Sequence, residues 1–300
     1  MKFTSLIAYA SLISAASASA VPKVSDSSTN SSTVIGDATI LNFLLIFENL
    51  ENALYTGALG SFTQDDFIND GLPTWSRGRF EQISAHEQAI VASLSDAVGS
   101  NAIQACNYSL PYTSPSSFTE LAEFISGVSV AAHLGVSQYN TNSETATIAA
   151  SVLSTKARHA AWIAAPVNKH NAWSGAFDTP LSFNVAYTLA AQYMSGCPST
   201  NPSLPFTAYP SLTIANATAG QSAAVSAASN VTIEGQYIAF FSGLSTTFVQ
   251  VQEGQVVIPN DSMGISYAVL TSSKSLADDS TIMAGVAAVQ VDFNSYGLRE

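Results

Sequence analysis

Between residues 38 and 195 apolar side chains return every three or four positions in five segments, the period of helices with one buried face. The segments run from Ala38 to Leu59, Trp75 to Gly99, Ser117 to Tyr139, Glu144 to Ala164 and Leu181 to Ser195. Residues suited to helix ends mark several boundaries. Asp37 is expected to N-cap the first helix and Gly99 to end the second, while Thr179-Pro180 offers the fifth an N-cap followed by proline. After Cys197 the period disappears. Pro198, Pro202, Pro205 and Pro210 cannot continue a helix, so 198–210 is expected to be a linker or an extended packing segment. Beyond Ser211 come short alternating or β-branched stretches: Leu212 to Ala215, Val231 to Phe241, Thr246 to Gln252, Val256 to Ile258, Ile265 to Thr271 and Ala287 to Phe293. The fold class this pattern predicts is α + β in separate domains. A four-helix bundle with an extra helix spans 37–197, and a small β-sandwich spans 211–300.

The N-terminus follows a different logic. Lys2, the apolar stretch Leu6 to Ala16 and the small residues Ala18-Ser19-Ala20 read as a signal peptide over 1–20, cleaved before Val21. Residues 21–36 are Ser/Thr-rich with few large apolar side chains and are expected to form a flexible leader. No later run is long and apolar enough to span a bilayer, and the polar C-terminus lacks a lipid-anchor signal. A secreted protein of the extracellular space or cell wall is therefore expected. In that compartment the acceptors at Asn30, Asn107, Asn216, Asn230 and Asn260 become candidate N-glycosylation sites. The two cysteines, Cys106 and Cys197, most simply form one disulfide closing a long loop, with a reactive thiol as the weaker alternative. The formal charge of −12 argues against nucleic acid or an anionic membrane as partner. Only 10 % of residues are charged, a deficit that attached sugars would offset.

Three helices carry ionisable residues inside apolar seams. Glu51 interrupts the row Ile40, Leu44, Phe47 and Leu54, with Glu48 one turn earlier. Glu87 interrupts Ile83, Ile90 and Leu94, and Lys156 and His159 interrupt Val152 and Ile163. Burial of such groups is costly unless each finds an opposite charge, a metal or a route to water.

Several of these stretches carry a resemblance. Leu41-Asn42-Phe43 through Phe47-Glu48-Asn49-Leu50-Glu51 to Tyr55, Ile83 to Glu87, Ala149 to Leu153, Ala157-Arg158-His159, Phe177 to Leu181 and Cys197-Pro198-Ser199 together resemble fungal secreted ferritin-like proteins. That group includes stress-response and late-sexual-development proteins, with plant desiccation-related proteins as distant relatives. The resemblance covers roughly Asp37 to Pro205 and implies a ferritin-like bundle followed by a β-rich tail.

A di-iron bundle of this kind places one Glu on each of two helices and a Glu-x-x-His pair on each of the other two. Glu51 or Glu48 can stand for the first carboxylate and Glu87 for the second, but Ile90 occupies the position of a histidine three residues after Glu87. On the third helix Ser126 stands where a carboxylate is expected, with Glu123 almost one turn earlier. On the fourth, Lys156-Ala157-Arg158-His159 keeps the histidine and replaces the carboxylate with a cation. Half of the ligand set is absent, and a lysine charge would repel an iron pair.

The expected arrangement is a degenerate site in which Lys156 bridges Glu51 and Glu87. No cofactor is expected. The alternative is iron or another divalent metal, including a single ion held by Glu51, Glu87 and His159, toward which His133 could turn. His86 and His170 show no partner pattern, His86 and Glu87 being adjacent positions on different helix faces. There is no nucleophile elbow, phosphate loop or zinc-protease helix. The function expected is non-enzymatic, in stress response or development by resemblance, against a ferritin-like oxidoreductase or iron-handling protein as the alternative. The partner is unknown, with cell-wall or extracellular components as the candidate class.

Overall fold

The computed structural model describes residues 35–139, 142–215 and 217–294. The expected signal peptide, nearly all of the leader, Asn30 and Asn216 lie outside them. The helical part comprises α1 (Asp37–Ser61), α2 (Gln64–Asn69), α3 (Ser76–Val98), α4 (Pro115–Val136), α5 (Ser143–Trp162) and α6 (Phe183–Ala191). Helix α1 packs against α3, α4 and α6, and α4 packs against α5. Every residue of α1 from Ile40 to Glu51 is buried. The sequence Ile40-Leu41-Asn42-Phe43-Leu44-Leu45-Ile46-Phe47 is apolar nearly all round, as a helix at the centre of a bundle requires.

Several helix ends differ from expectation. Gly36, not Asp37, is the N-cap of α1, and Asp37 begins the helix, where its charge complements the N-terminal dipole. Gly99 does end α3, with φ 75°, a backbone region glycine adopts without steric cost. Helix α6 starts at Phe183 after Ser182 and stops at Ala191, shorter than the apolar pattern suggests, and the Thr179 hydroxyl accepts from the backbone N–H of Gly243 instead of capping a helix. Helix α2 had no counterpart in the hydrophobic pattern. Its six residues are too few to show a period, but Thr63 and Asp66 form a reciprocal capping box. Helix α5 runs on into a π-helical turn, Ile163–Asn168, that contains Pro166.

The C-terminal part is antiparallel β. Strands β3 (Leu212–Ile214), β4 (Ser222–Ala227) and β7 (Gln255–Val257) form one sheet in the order β3-β4-β7. A second sheet has the order β6-β5-β8-β9, from β5 (Tyr237–Ser242), β6 (Ser245–Gln250), β8 (Gly264–Thr271) and β9 (Ile282–Val291). Leu212, Val225, Ile238, Phe240, Val256, Ala268, Leu270 and Val289 fill the sandwich between them. Strand β5 begins six residues later than the apolar run at Val231, whose first part turns through Gly235 at φ 77°. Strand β9 begins five residues earlier than the stretch Ala287 to Phe293.

Alternation along the strands sends the other set of side chains the opposite way. Ala239, Tyr267, Val269 and Ile282 belong to the same buried cluster as the helices. The larger sheet is therefore covered on both faces, by the small sheet on one and by the helices on the other. Residues 198–210 form a packed strap across this junction: Phe206 lies against Phe43 and Phe183, and the Tyr209 hydroxyl donates to Asp279 at 2.5 Å. Two short strands, β1 (Asn107–Tyr108) and β2 (Met194–Gly196), pair beside the disulfide Cys106–Cys197, which closes a separation of 91 residues.

Candidate functional site

The four longest helices direct their interrupting polar residues to one place in the bundle. Glu48 and Glu51 come from α1, Glu87 from α3, Ser126 and His133 from α4, and Lys156 and His159 from α5. Glu48, Glu51, Glu87, Ser126 and Lys156 are fully inaccessible to solvent. The Lys156 ammonium lies 2.9 Å from Glu48 Oε2 and 2.5 Å from Glu51 Oε2, and contacts Glu87 Oε2. An ammonium has three N–H donors, and here three carboxylates converge on it.

The remaining contacts distribute protons around this cluster. Ser126 donates to Glu51 Oε1 at 2.7 Å, so its oxygen is free to accept from the Tyr55 hydroxyl 2.9 Å away. His133 Nδ1 is 2.9 Å from the carbonyl of Ser129, an acceptor only, so Nδ1 carries the hydrogen. Burial, with the nearby Lys156 charge, lowers the His133 pKa to about 4 and keeps the ring neutral. Its Nε2 is then a bare acceptor, yet it faces Glu48 Oε1 at 3.3 Å. Burial, reinforced by the charges of Glu87 and Glu51, pushes the Glu48 pKa well up against the pull of Lys156.

The other carboxylates divide. Burial raises the pKa of Glu51. Burial would raise Glu87 too, but the Lys156 charge, with which it is hydrogen-bonded, and the nearby His159 hold it down to about 2. For Lys156, burial favours the neutral amine, but the three carboxylates outweigh it and raise the pKa well above the usual lysine value. The cluster therefore sets one buried cation among three acidic groups of unequal acidity, Glu87 the strongest acid of the three.

Toward solvent, His159 Nδ1 lies 3.4 Å from Glu87 Oε1, and its Nε2 is 3.1 Å from Nδ1 of the exposed His86. The His86 and His159 rings are stacked at 9° with centroids 5.3 Å apart. The lack of a partner expected for His86 is thus corrected. Its neighbours on α3 gave no hint because the partner comes from α5. His170 likewise has a partner, Glu123 Oε2 at 2.9 Å, and Glu123 also accepts from Asn168. Glu123 therefore serves the surface of α4, away from the buried cluster. Ile90 packs against the core as an ordinary apolar residue.

Oxygen atoms of Glu48, Glu51 and Glu87 lie within 4.8 Å of one another, close enough to surround one ion. A metal pair does not fit the residues present. The point of convergence is taken by the Lys156 nitrogen, Ile90 offers no ligand, and the Ser126 hydroxyl is committed to Glu51 and Tyr55.

Among comparisons with known proteins, the curated proteins returned no match. The family model described as a ferritin-like domain matches residues 36–169, the stretch from α1 through the π-helical turn that contains every member of the buried cluster. Residues 36–169 thus match a ferritin-like domain in sequence and form a helical bundle in structure.

Proposed function

We propose that this chain is a secreted ferritin-like protein whose metal centre has been replaced by a lysine-centred ion cluster, and that it works by binding or scaffolding outside the cell without redox turnover. The observation that carries the reading is the Lys156 ammonium held among Glu48, Glu51 and Glu87 in the buried centre of the bundle. A protonated lysine supplies part of the positive charge that a metal would otherwise bring, and it does so without exchangeable coordination positions. The export signal supports secretion, as does the disulfide, a bond that persists in oxidising compartments. Among the described residues no helix is long and apolar enough to cross a membrane. Asn107, Asn230 and Asn260 are exposed, as glycan acceptors must be. The resemblance to fungal secreted proteins of stress response and sexual development supports a role at the cell wall or in the extracellular space.

The competing reading is a single-metal protein, favoured by the proximity of the three glutamates. Elemental analysis of protein secreted by a eukaryotic host separates the two. Iron, manganese and zinc well below one ion per chain are expected. Near-stoichiometric metal that disappears in Glu87→Ala would overturn the proposal.

A further inference from the structure

A cavity of about 460 Å³ opens between the ferritin-like domain and the larger sheet, walled by α4, α5 with its π-helical turn, the segment 170–179 and strands β8 and β9. That volume falls within the usual range of small-molecule sites, and junctions between packed units are where such sites commonly form. Its helical wall is built from the small side chains Gly127, Ala131, Ala157, Ala160, Ala161 and Ala164, which leave the space and make it apolar. At its mouth Trp173 and Phe177 are 67 % and 58 % exposed, unlike most large aromatics of the chain.

Tyr267 also lines this cavity. It is 2 % exposed, and no hydrogen bond to its hydroxyl is made by any described residue. A phenol hydroxyl that faces a cavity without a protein partner is poised to bond a guest.

Most other polar groups on the wall are already committed. Asn171 exchanges two hydrogen bonds with the backbone of Phe293, Ser174 accepts from Ile265 N–H, Thr179 accepts from Gly243 N–H, and His170 is paired with Glu123. Among the groups left over, the charged ones are the exposed carboxylates of Asp178 and Glu120, and the Tyr267 hydroxyl can accept as well as donate. No lysine or arginine lines the cavity. A polyhydroxylated sugar would find few free partners on the alanine wall, and an anion would meet carboxylates. A guest with an apolar body and one ammonium group would find alanines for the body. Its charge would meet Asp178, Glu120 and the ring faces of Trp173 and Phe177.

We propose that this interdomain cavity is a binding site for small amphipathic amines, the apolar body lying on the alanine wall and the ammonium between Tyr267, Asp178 and the exposed aromatics. The site is separate from the Lys156 cluster and stands whether or not that cluster excludes metal.

The test uses the full chain and three matched probes, hexylammonium, hexanol and hexanoate, followed by calorimetry and tryptophan fluorescence. Hexylammonium is expected to bind saturably and about tenfold or more tighter than hexanol, with hexanoate weakest. Asp178→Asn should reduce the preference for the ammonium about tenfold, and Trp173→Phe should remove the fluorescence change. Tyr267→Phe deletes only the unpartnered hydroxyl, so it should leave the melting temperature unchanged or raised while weakening hexylammonium. No saturable binding of hexylammonium, equal affinity for hexylammonium and hexanol, or tighter binding of a neutral hexasaccharide than of hexylammonium would each overturn the proposal.

Discussion

Ser126 Oγ stands 2.7 Å from Glu51 Oε1, on the opposite side of the carboxylate from the oxygen that meets Lys156 at 2.5 Å. A hydroxyl on α4 thus serves as donor to a buried carboxylate of α1. Compared with the carboxylate set of a di-iron bundle, a serine and a lysine at these places leave the centre with less negative charge.

The first prediction concerns Lys156→Met. Removing one partner of a buried ion cluster typically costs about 3 to 5 kcal/mol, because the remaining charges are left without compensation. The orphaned carboxylates should take up protons, so the variant is expected to recover stability as the pH is lowered from about 8 toward about 5. Urea denaturation across that range checks both parts. A loss below about 1 kcal/mol at neutral pH would mean that the cluster is not held as described.

Supplying the full ligand pattern of a di-iron bundle should create a metal site. Ile90→His, Ser126→Glu and Lys156→Glu together recreate the two Glu-x-x-His pairs and the carboxylates of a di-iron bundle. The triple variant is expected to gain about 2.7 kcal/mol at a free ferrous or manganous concentration near 100 times its dissociation constant. The parent protein should show no such gain in thermal melts with and without metal.

His133 predicts an acid-sensitive component of stability. Its folded pKa of about 4 lies below the ordinary value of 6.5, so the unfolded chain binds the proton more readily. Stability from this residue falls as the pH drops from 6.5 toward 4, by at most about 3 kcal/mol. Glu87, held at about 2 against an ordinary 4.5, adds a loss that develops below 4.5. Glu48 and Glu51 act in the opposite sense, since raised pKa values contribute stability at low pH that is lost as the pH rises. Replacing His133 with Gln should flatten the slope between about pH 6.5 and about pH 4. Subtracting the two stability profiles isolates the histidine, and an unchanged slope would contradict the assigned tautomer and protonation.

The disulfide closes a loop of 91 residues, for which chain entropy predicts about 4 to 5 kcal/mol of stabilisation. The double variant Cys106→Ser, Cys197→Ser should lose an amount of that order in chemical denaturation. Much of the loss should appear as faster unfolding if the paired strands β1 and β2 form late.

The helices were legible where their seams were long. The rows through Ile40 and Leu54, and through Ile83 and Leu94, carry enough turns to reveal both the buried face and the glutamates interrupting it. Helix α2 was not legible from periodicity, although Thr63 and Asp66 held the capping signature that could have revealed it. Strand β4, Ser222-Ala223-Ala224-Val225-Ser226-Ala227, alternates only small side chains and so gives little apolar contrast. In the candidate site, Glu51, Glu87 and Lys156 could be named because each breaks a seam on its own helix. The His86–His159 stack could not, because contacts between helices depend on rotation and depth that one-dimensional spacing does not encode.

Tyr267 and Val269 lie in the buried cluster of the helices, while Ala268 and Leu270 between and beside them face the other sheet. Alternate residues of one strand thereby couple two hydrophobic interiors through a single backbone. The mechanical consequence is cooperativity: neither half can open without stripping one face of β8. Scanning calorimetry of the whole chain is expected to show one heat-absorption peak with matching calorimetric and van't Hoff enthalpies. A chain cut after Cys197 should be sticky and poorly folded, a bundle whose missing wall is the sheet that grew beside it.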